Sequence, residues 1–300
     1  MTDPVAVANL TGEVGMVESR RMRFVPFDGW HLVLAPLALI MFLPFLWMLV
    51  TSLETPAQTL RFPPTLWPGT LRFENYWTAL QESDFGTWFW NSVLVTTIVV
   101  LSNVVLCSLA GYAFARIRFL GRGVIYVLLL ATLMVPLQVV LIPTFLVVKA
   151  FGLIDTLGAL IVPHLANVFG IFMLTQFFRT LPIELEEAAR IDGASHLKIL
   201  FVIVLPLSMP ALATMAVILY LWTWNEFLWP LITILTNQRA FTLQLGLATF
   251  QGAHQTQWHL LAAANIMSMI PVENACGISV ACTVVGTTPI SAPSRAVCAL

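Results

Sequence analysis

Long uncharged stretches of apolar residues alternate along the chain with short segments that hold its charges. A helix needs about 20 predominantly apolar residues to cross the hydrocarbon core of a membrane. Five stretches are long enough: residues 32–53, 88–115, 123–148, 156–178 and 199–225. Apolar residues run continuously through them rather than alternating with polar ones, which favours helices over barrel strands. The pattern therefore predicts an all-α, polytopic membrane protein.

A sixth apolar stretch begins near Trp258 and is interrupted by Glu273, which leaves it shorter than the roughly 20 residues of a crossing. Residues 272–300 contain no Phe, Trp or Tyr but three of the four cysteines. One interpretation of this atypical tail is a shifted reading frame in the gene. Another is a diverged but functional end whose helix continues through 278–285. Six crossing helices are expected, and the sixth depends on which interpretation holds.

Composition and charge agree with a membrane protein. Hydrophobic residues make up 59% of the chain and charged residues 10%, whereas a soluble domain is usually about 45–50% apolar and about 25% charged. The net charge of −1 gives no electrostatic attraction to nucleic acid. The expected surroundings are therefore membrane lipid. Cys107, inside an apolar stretch, is expected to be a small buried hydrophobe.

Lysine and arginine predict the orientation, because cytoplasmic loops of membrane proteins carry an excess of both. With the N-terminus inside, nine of them fall on the cytoplasmic side: Arg20, Arg21, Arg23, Arg116, Arg118, Arg122, Arg179, Arg190 and Lys198. Four fall on the opposite side, before the tail is counted: Arg61, Arg72, Lys149 and Arg239. The predicted organisation is a cytoplasmic tail at 1–29, a membrane domain at 30–271 and the atypical tail at 272–300.

The segment LEEAARIDGAS (185–195) holds four charged side chains in eleven positions and is predicted to be a short cytoplasmic helix. Thr180 is a candidate N-cap, and Pro182 falls in the predicted first turn. Acidic residues follow, where they suit the positive end of the helix dipole: Glu184, Glu186 and Glu187. Gly193 is expected to end the helix in a left-handed conformation, and Ser195 to cap a second helix.

Two interpretations of this segment stay open on the residues alone. Leu185, Ala188, Ala189 and Asp192 recur at three- and four-residue spacing, so the helix has a face with small residues at its centre. Such a face can lie close in a groove of another protein. The same features also fit an ordinary solvated loop with a capped helix.

EEAARIDGAS, followed by VLPLSMP, strongly resembles the EAA loop of ABC-importer permeases, which reads EAA, a short gap, glycine, and later an apolar stretch ending in LP. The matching positions are Glu187, Ala188, Ala189, Gly193, Leu205 and Pro206. Asp192 and Ala194, on either side of the glycine, are typical of the carbohydrate group. WNEFLWPL (224–231) is similar to a segment of maltose-transporter-like permeases, and the resemblance covers about residues 70–271.

This resemblance implies the ABC-importer type I permease fold and a membrane-spanning subunit of an ATP-driven importer of a sugar or sugar derivative. The implied location is the plasma (inner) membrane of a prokaryote. The implied partners are a second permease subunit, an ATP-binding cassette ATPase dimer and an extracytoplasmic solute-binding protein. The EAA loop (182–206) would couple the chain to the ATPase through seven residues: Glu187, Ala188, Ala189, Asp192, Gly193, Ala194 and Pro206.

No phosphate-binding G-x-x-x-x-G-K-[ST] motif occurs in the sequence. The chain is therefore expected to hydrolyse no ATP itself and to hold no cofactor, with ATP and Mg²⁺ bound by the partner ATPase. No H-E-x-x-H motif and no nucleophilic triad is readable, so neither a metal site nor an enzyme is predicted. The alternatives are a membrane scaffold that transports nothing and an intramembrane enzyme.

Candidates for the translocation path lie at the end of the fifth stretch: Trp224, Asn225 and Glu226. Glu226 is an acid at the edge of a predicted span, and carboxylates at membrane depth are costly and often functional. Trp222, Trp224 and Trp229 instead indicate an interfacial aromatic belt. There Glu226 would stay hydrated and pack with Asn225. Both interpretations stand, because aromatic faces also stack on sugar rings.

Overall fold

The computed structural model describes residues 31–62, 69–81, 83–251 and 256–271. Regular structure in these residues is helical, apart from an isolated antiparallel bridge between Gln251 and Thr256. The all-α prediction is therefore confirmed for this part of the chain. The predicted tails at 1–29 and 272–300 lie outside the described residues.

The chain divides into two compact units, Met1–Trp47 and Met48–Leu300. In the first unit the described residues, 31–47, belong to helix α1 (His31–Ser52), which contains Pro36 and Pro44. Large apolar side chains on this helix are exposed, Leu39 by 68%. Such exposure suits a helix whose solvent is lipid.

The second unit contains the other helices. Its first part comprises α2 (Pro56–Thr59), α3 (Glu74–Gln81), α4 (Phe85–Arg116), α5 (Arg122–Thr132), α6 (Leu137–Ala150), α7 (Leu157–Ile161) with a 3₁₀ turn (Val162–His164), and α8 (Val168–Thr180). Its second part comprises α9 (Glu184–Ile191), α10 (His196–Ile199), a π-helical turn (Leu200–Val204), α11 (Leu205–Leu207), α12 (Met209–Trp224), α13 (Leu228–Thr233), a 3₁₀ turn (Gln238–Ala240), α14 (Leu243–Ala248) and helical residues 258–271, here called α15.

Among the described residues, three helical segments are long and apolar enough to cross a membrane: Leu32–Ser52, Phe85–Arg116 and Leu157–Thr180. Up to two further crossings are bent pairs, α5 with α6 at 103° and α10–α11 with α12 at 81°. These five segments coincide with the five predicted stretches. The sixth predicted span is helical through 258–271, where the described residues end.

Both bends lie beside prolines, because proline has no N–H to continue the helical hydrogen bonds. Pro136 directly precedes α6 in an extended conformation. At the second bend, Ser208 separates α11 from α12, with Pro206 and Pro210 on either side. Pro143, by contrast, lies inside α6 without ending it. Sharp bends therefore form at two of the places where proline occurs.

Helix α4 is the centre of the second unit and packs against α8 and α12. The core between these helices includes four fully buried side chains: Cys107, Leu174, Phe178 and Met215. Cys107 thus has its predicted place as a small buried hydrophobe. Near the other end of α4, Trp88 and Phe85 form a second core with α14 and α15.

Gly246 in α14 lies where a β-carbon would overlap the indole ring of Trp88. Trp88 is 5% exposed and packs on the Phe241 ring, so it cannot move aside without displacing the core. We expect Gly246→Ala to destabilise the protein by about 1–3 kcal/mol, as overpacking in cores does. The thermal unfolding midpoint of the purified protein in detergent measures this. Gly86→Ala is the control, because nothing lies near a β-carbon there; equal midpoints for both variants would contradict the prediction.

Asp155 joins the turn between α6 and α7 to the segment that follows α13. Its Oδ1 accepts hydrogen bonds from the backbone N–H groups of Leu235 at 2.6 Å and Thr236 at 2.8 Å. Its Oδ2 accepts from the Thr236 hydroxyl at 2.9 Å. The backbone hydrogen bond from Thr236, followed by those from its side chain and its neighbours, holds the pKa of the Asp155 carboxyl below its usual value. The ionised carboxylate therefore clamps two loops together.

Acidification is expected to release this clamp. Because the folded-state pKa is lowered, the stabilisation is complete above the unfolded value of about 3.9 and is lost as the pH falls through the lower folded value. Hydrogen exchange of the 235–237 amides, corrected for intrinsic rates, should therefore rise in that acidic range. Asp155→Asn should show fast exchange already at neutral pH, and Asp84→Asn, at a site with no side-chain cap hydrogen bond, should not. The hydrogen bonds of Asp155 would not hold the two loops if the exchange rates of these amides changed neither with pH nor with the Asp155→Asn substitution.

Candidate functional site

The beginning of α9 differs from the prediction. Thr180 is the last residue of α8, and its hydroxyl donates to the carbonyl three residues earlier at 2.7 Å, so it does not cap α9. Pro182 precedes α9, which begins at Glu184 with Ile183 in the N-cap position. The cause is Leu181, which is extended, as a residue before proline prefers. Helix α8 therefore stops there, and a new helix starts only after the proline.

The end of α9 is as predicted. Gly193 has a φ of 78°, in the left-handed region. Its N–H donates to the Arg190 carbonyl at 3.0 Å, and the Ala194 N–H donates to the Ala189 carbonyl at 2.9 Å. This pair of hydrogen bonds is a Schellman motif. Ser195 then caps α10, accepting from an N–H of its first turn at 3.4 Å, so a second helix begins at His196.

A buried ion pair fastens α9 to the end of α4. Glu186 Oε1 lies 2.7 Å from Arg116 Nε, and the two side chains are 3% and 10% exposed. The Tyr112 hydroxyl donates to Glu186 Oε2 at 3.1 Å, and Arg116 Nη2 donates to the Leu181 carbonyl at 2.6 Å. Burying two charges is costly unless both are paired and hydrogen-bonded, and here both are. The ion pair therefore holds α9 in one orientation against α4.

The sequence pattern groups Glu186 with Glu184 and Glu187, as acids that suit the positive end of the helix dipole. Glu184 and Glu187 are exposed, but Glu186 is buried against α4. A partial signal exists in the sequence, because Tyr112 and Arg116 are four residues apart and share one helix face. Spacing alone does not tell which distant acid they meet.

The exposed side of α9 and its adjoining turns carries large apolar residues together with acids and small residues. Large apolar side chains at least 45% exposed are Ile183, Leu185, Ile191 and Leu197. The exposed acids and small residues are Glu187, Ala188, Asp192 and Gly193. These eight residues are called the α9 surface below. Exposed apolar residues grouped in this way indicate a protein interaction site.

The seven residues predicted to couple to an ATPase fall into three groups. Four of them belong to the α9 surface: Glu187, Ala188, Asp192 and Gly193. Ala189 and Ala194 are half-buried and pack against the core around α4 and α8. Pro206 lies apart in α11, beyond the π-helical turn and just before the 81° bend. The structure thus brings six together and places the seventh at the bend.

The three predicted translocation-path residues have different environments. Trp224 is 2% exposed, and its Nε1 donates to the Ser268 carbonyl at 3.3 Å. The exposed Asn225 donates to the carbonyl four residues earlier at 2.8 Å. Glu226 Oε1 accepts from the Trp229 N–H at 3.1 Å. Glu226 therefore accepts a hydrogen bond from the first turn of α13.

The expected belt of interfacial tryptophans is also absent from this region. Trp224 and Trp229 are buried, and only Trp222 is exposed. Trp229 Nε1 donates to the Ala159 carbonyl at 2.9 Å. An indole that bonds a carbonyl on a neighbouring helix is part of the packing, which explains the burial.

Glu226 lines a cavity of about 310 Å³, which neither Trp224 nor Asn225 reaches. Its polar wall residues are Asn103, His164, Asn167, Thr223, Glu226 and Thr242. Several helices begin or end around it, since Asn167 caps α8 and Leu137 begins α6. Irregular backbone at membrane depth is tolerated where it lines a cavity. Among the described residues no cluster of three His, Cys, Asp or Glu could hold a metal ion.

The sequence of the chain is similar to those of known transport proteins. Residues 103–287 match a family model described as binding-protein-dependent transport system inner membrane component. The arabinooligosaccharides transport system permease protein AraQ of Halalkalibacterium halodurans is 34% identical, over 82% of this chain and 90% of its own length. The trehalose/maltose transport system permease protein MalG of Thermococcus litoralis is 37% identical, over 79% of this chain and 86% of its own.

A solved structure also matches. It is a crystal structure of a bacterial ABC transporter involved in the import of the acidic polysaccharide alginate, and one of its chains is 26% identical with a TM-score of 0.73. The match covers 82% of this chain and 92% of that one. The region matched by the family model includes α9, its attachment to Arg116 and most of the cavity wall.

Proposed function

Because the chain belongs to the family of binding-protein-dependent transport system inner membrane components, we propose that it carries a sugar or sugar derivative across the membrane as the permease subunit of an ATP-driven importer. It is a membrane protein and not an enzyme, since ATP is hydrolysed in a separate subunit of such importers. The names of four relatives, which specify arabinooligosaccharides, diacetylchitobiose, trehalose or maltose, and lactose, support a carbohydrate cargo.

The observation that carries the proposal is the attachment of α9. One side of this short helix bears the buried Glu186 ion pair to α4, and the other side carries the exposed α9 surface. A force on that surface is therefore passed to α4, the helix around which the second unit is packed. A solvated loop without a partner needs neither the buried ion pair nor exposed apolar residues.

We assign the α9 surface to the ATPase dimer of the importer. Its large apolar residues, such as Leu185 and Ile191, suit a groove, while Glu187 and Asp192 can pair with basic residues at the rim. ATP and Mg²⁺ would bind in that dimer and not in this chain. A second permease subunit and an extracytoplasmic solute-binding protein would complete the assembly. The N-terminus and α9 would then be cytoplasmic, and Asp155 would lie on the outer side.

Cross-linking tests the ATPase contact. Ile191→Cys, in a chain with Cys276, Cys282 and Cys298 changed to serine and the buried Cys107 kept, should trap the ATPase subunit with a short bifunctional thiol reagent. Asn237→Cys, at the end of the fold that carries Asp155, is the control and should trap none. Equal trapping at both positions, or none at position 191 in an intact complex, would contradict the assignment.

Reconstitution tests the transport activity. The chain, its second permease, ATPase and binding protein in proteoliposomes should import at least one of trehalose, maltose, lactose, an arabino-oligosaccharide or diacetylchitobiose. Import should require both ATP and the binding protein. If ATP hydrolysis is active and none of these sugars enters, the sugar proposal is wrong. A complex that forms without ATPase stimulation would favour the scaffold alternative.

A further inference from the structure

We propose that the cavity beside Glu226 holds a neutral, polyhydroxylated part of the cargo during transit, so that this subunit binds substrate within its own helices. The inference rests on the proposed function and adds the chemistry of one site to it. The cavity of about 310 Å³ lies at the lower end of the size range of ligand sites, about 300–1,000 Å³. A single sugar ring rather than a whole oligosaccharide suits that space.

Thr242 supplies an unused hydrogen-bonding group on the cavity wall. The residue is 6% exposed, and its hydroxyl has no hydrogen-bond partner among the described residues. It precedes α14 in the N-cap position, where a threonine side chain usually bonds a backbone N–H, yet it makes no such bond. A buried hydroxyl without a partner is unfavourable. A ligand hydroxyl in the cavity would satisfy it.

Glu226 and His164 supply acceptors on the same wall. Glu226 Oε1 is used by the Trp229 N–H, while Oε2 makes no hydrogen bond within the described residues. His164 Nδ1 lies 3.0 Å from the Leu160 carbonyl, which can only accept, so Nδ1 carries the proton. In the neutral ring Nε2 is then an acceptor. Two acceptors and one hydroxyl match a ligand that is rich in hydroxyl donors.

The ring contacts also suit a sugar. Trp222 and Trp229 line the cavity, and Trp229 is held by its hydrogen bond to Ala159 and by edge contact with His164. A fixed indole therefore lines the cavity together with the acceptors. The apolar C–H face of a sugar ring can lie on such a surface while its hydroxyls reach the polar groups.

Charge selects against anionic cargo at this site. No lysine or arginine lines the cavity, and Glu226 places a carboxylate there. A phosphate or carboxylate brought next to Glu226 would meet a like charge and find no cation on the cavity wall. The site therefore favours neutral sugars over charged derivatives such as sn-glycerol-3-phosphate.

The experiment uses the complete reconstituted importer with radiolabelled lactose, trehalose and maltose as probes. Thr242→Val replaces the hydroxyl with a methyl group of similar size, and Glu226→Gln keeps an oxygen for the Trp229 N–H while it removes the charge. Sugar imported per ATP hydrolysed should fall about two- to tenfold for the first and about tenfold or more for the second. The ATPase activity stimulated by loaded binding protein should stay within about twofold of wild type.

Two further variants separate ligand binding from folding. Thr214→Val removes a hydroxyl that donates to the Pro210 carbonyl at 2.8 Å on α12 and does not line the cavity; its import should equal wild type. Thr242→Ser keeps the hydroxyl and should import at about the wild-type rate. Wild-type import by the Thr242→Val and Glu226→Gln variants would overturn this inference and leave the proposed function standing. So would equal loss of import and ATPase stimulation, because a variant that only weakens ligand binding in the cavity keeps the stimulation. If the wild-type importer takes up none of the probes, the inference falls together with the proposed function.

Discussion

Changing Arg116 to leucine is expected to have the largest effect of any single substitution outside the cavity. It removes the cation that neutralises the buried Glu186 and the donor that holds the Leu181 carbonyl. Breaking a buried ion pair at one partner typically costs about 3–5 kcal/mol. Import should therefore fall about 100-fold or more, because α9 is no longer fixed to α4. Transport in proteoliposomes and the thermal unfolding midpoint measure the two consequences.

A double-mutant cycle makes this prediction specific. Arg118→Leu, which removes an exposed arginine two residues away, should leave import and stability nearly unchanged. The pair Arg116→Leu with Glu186→Leu should be more stable than either single variant, because an apolar pair carries no unpaired buried charge. Strictly additive losses would show that the two side chains do not act on each other.

Gly193→Val is expected to weaken the connection between α9 and the ATPase. A β-branched residue is disfavoured at a φ of 78° by about 1–2 kcal/mol or more. Relaxing that strain would break the Schellman hydrogen bonds of Gly193 and Ala194 and displace the α9 surface. Import should fall about tenfold or more, and stimulation of the ATPase by loaded binding protein should fall with it. Both are measured in the reconstituted importer.

Gly152→Val is the matched control. Gly152 has a φ of 68°, and a β-carbon would meet no atom within 4 Å at either glycine. The backbone strain is therefore similar, but Gly152 lies after α6, in the turn that Asp155 clamps to the segment after α13. Its variant should lose comparable stability and keep its import and its stimulation of the ATPase. If both variants lose this stimulation equally, general instability and not the position of α9 is the cause.

The crossing helices could be predicted from the sequence because the signal is local. Length and continuous apolarity define a crossing, and all five stretches are helical. The 103° and 81° bends could not be predicted in the same way. Pro136 and Pro210 mark where a helix is weak, but Pro143 shows that a proline can also remain within one. The angle depends on which neighbours the two halves pack against.

In the candidate site, too, features set by the local chain could be predicted, and features set by contacts distant in sequence could not. The end of α9 was predictable because glycine at a left-handed position is a property of the local chain. Glu186 was not, since its partner Arg116 is far away in sequence and identical acids precede and follow it. The buried Trp224 and Trp229 were expected in a belt because composition does not show what an indole N–H will bond. The cavity brings together α4, α6, α7 with its 3₁₀ turn, α12 and α13, with single residues beside α8 and α14, which no local pattern indicates.

The buried ion pair between Arg116 and Glu186 lies within one subunit, so α9 is held in position before any other protein binds. Preorganisation of this kind lowers the entropy cost of assembly. It also means that a newly made, orphan copy displays Ile191, 87% exposed, and its apolar neighbours to the surrounding water. In a cell that makes more of this chain than of the other subunits, the unassembled copies would therefore be substrates for quality-control proteases. Matched production of all subunits protects against that loss.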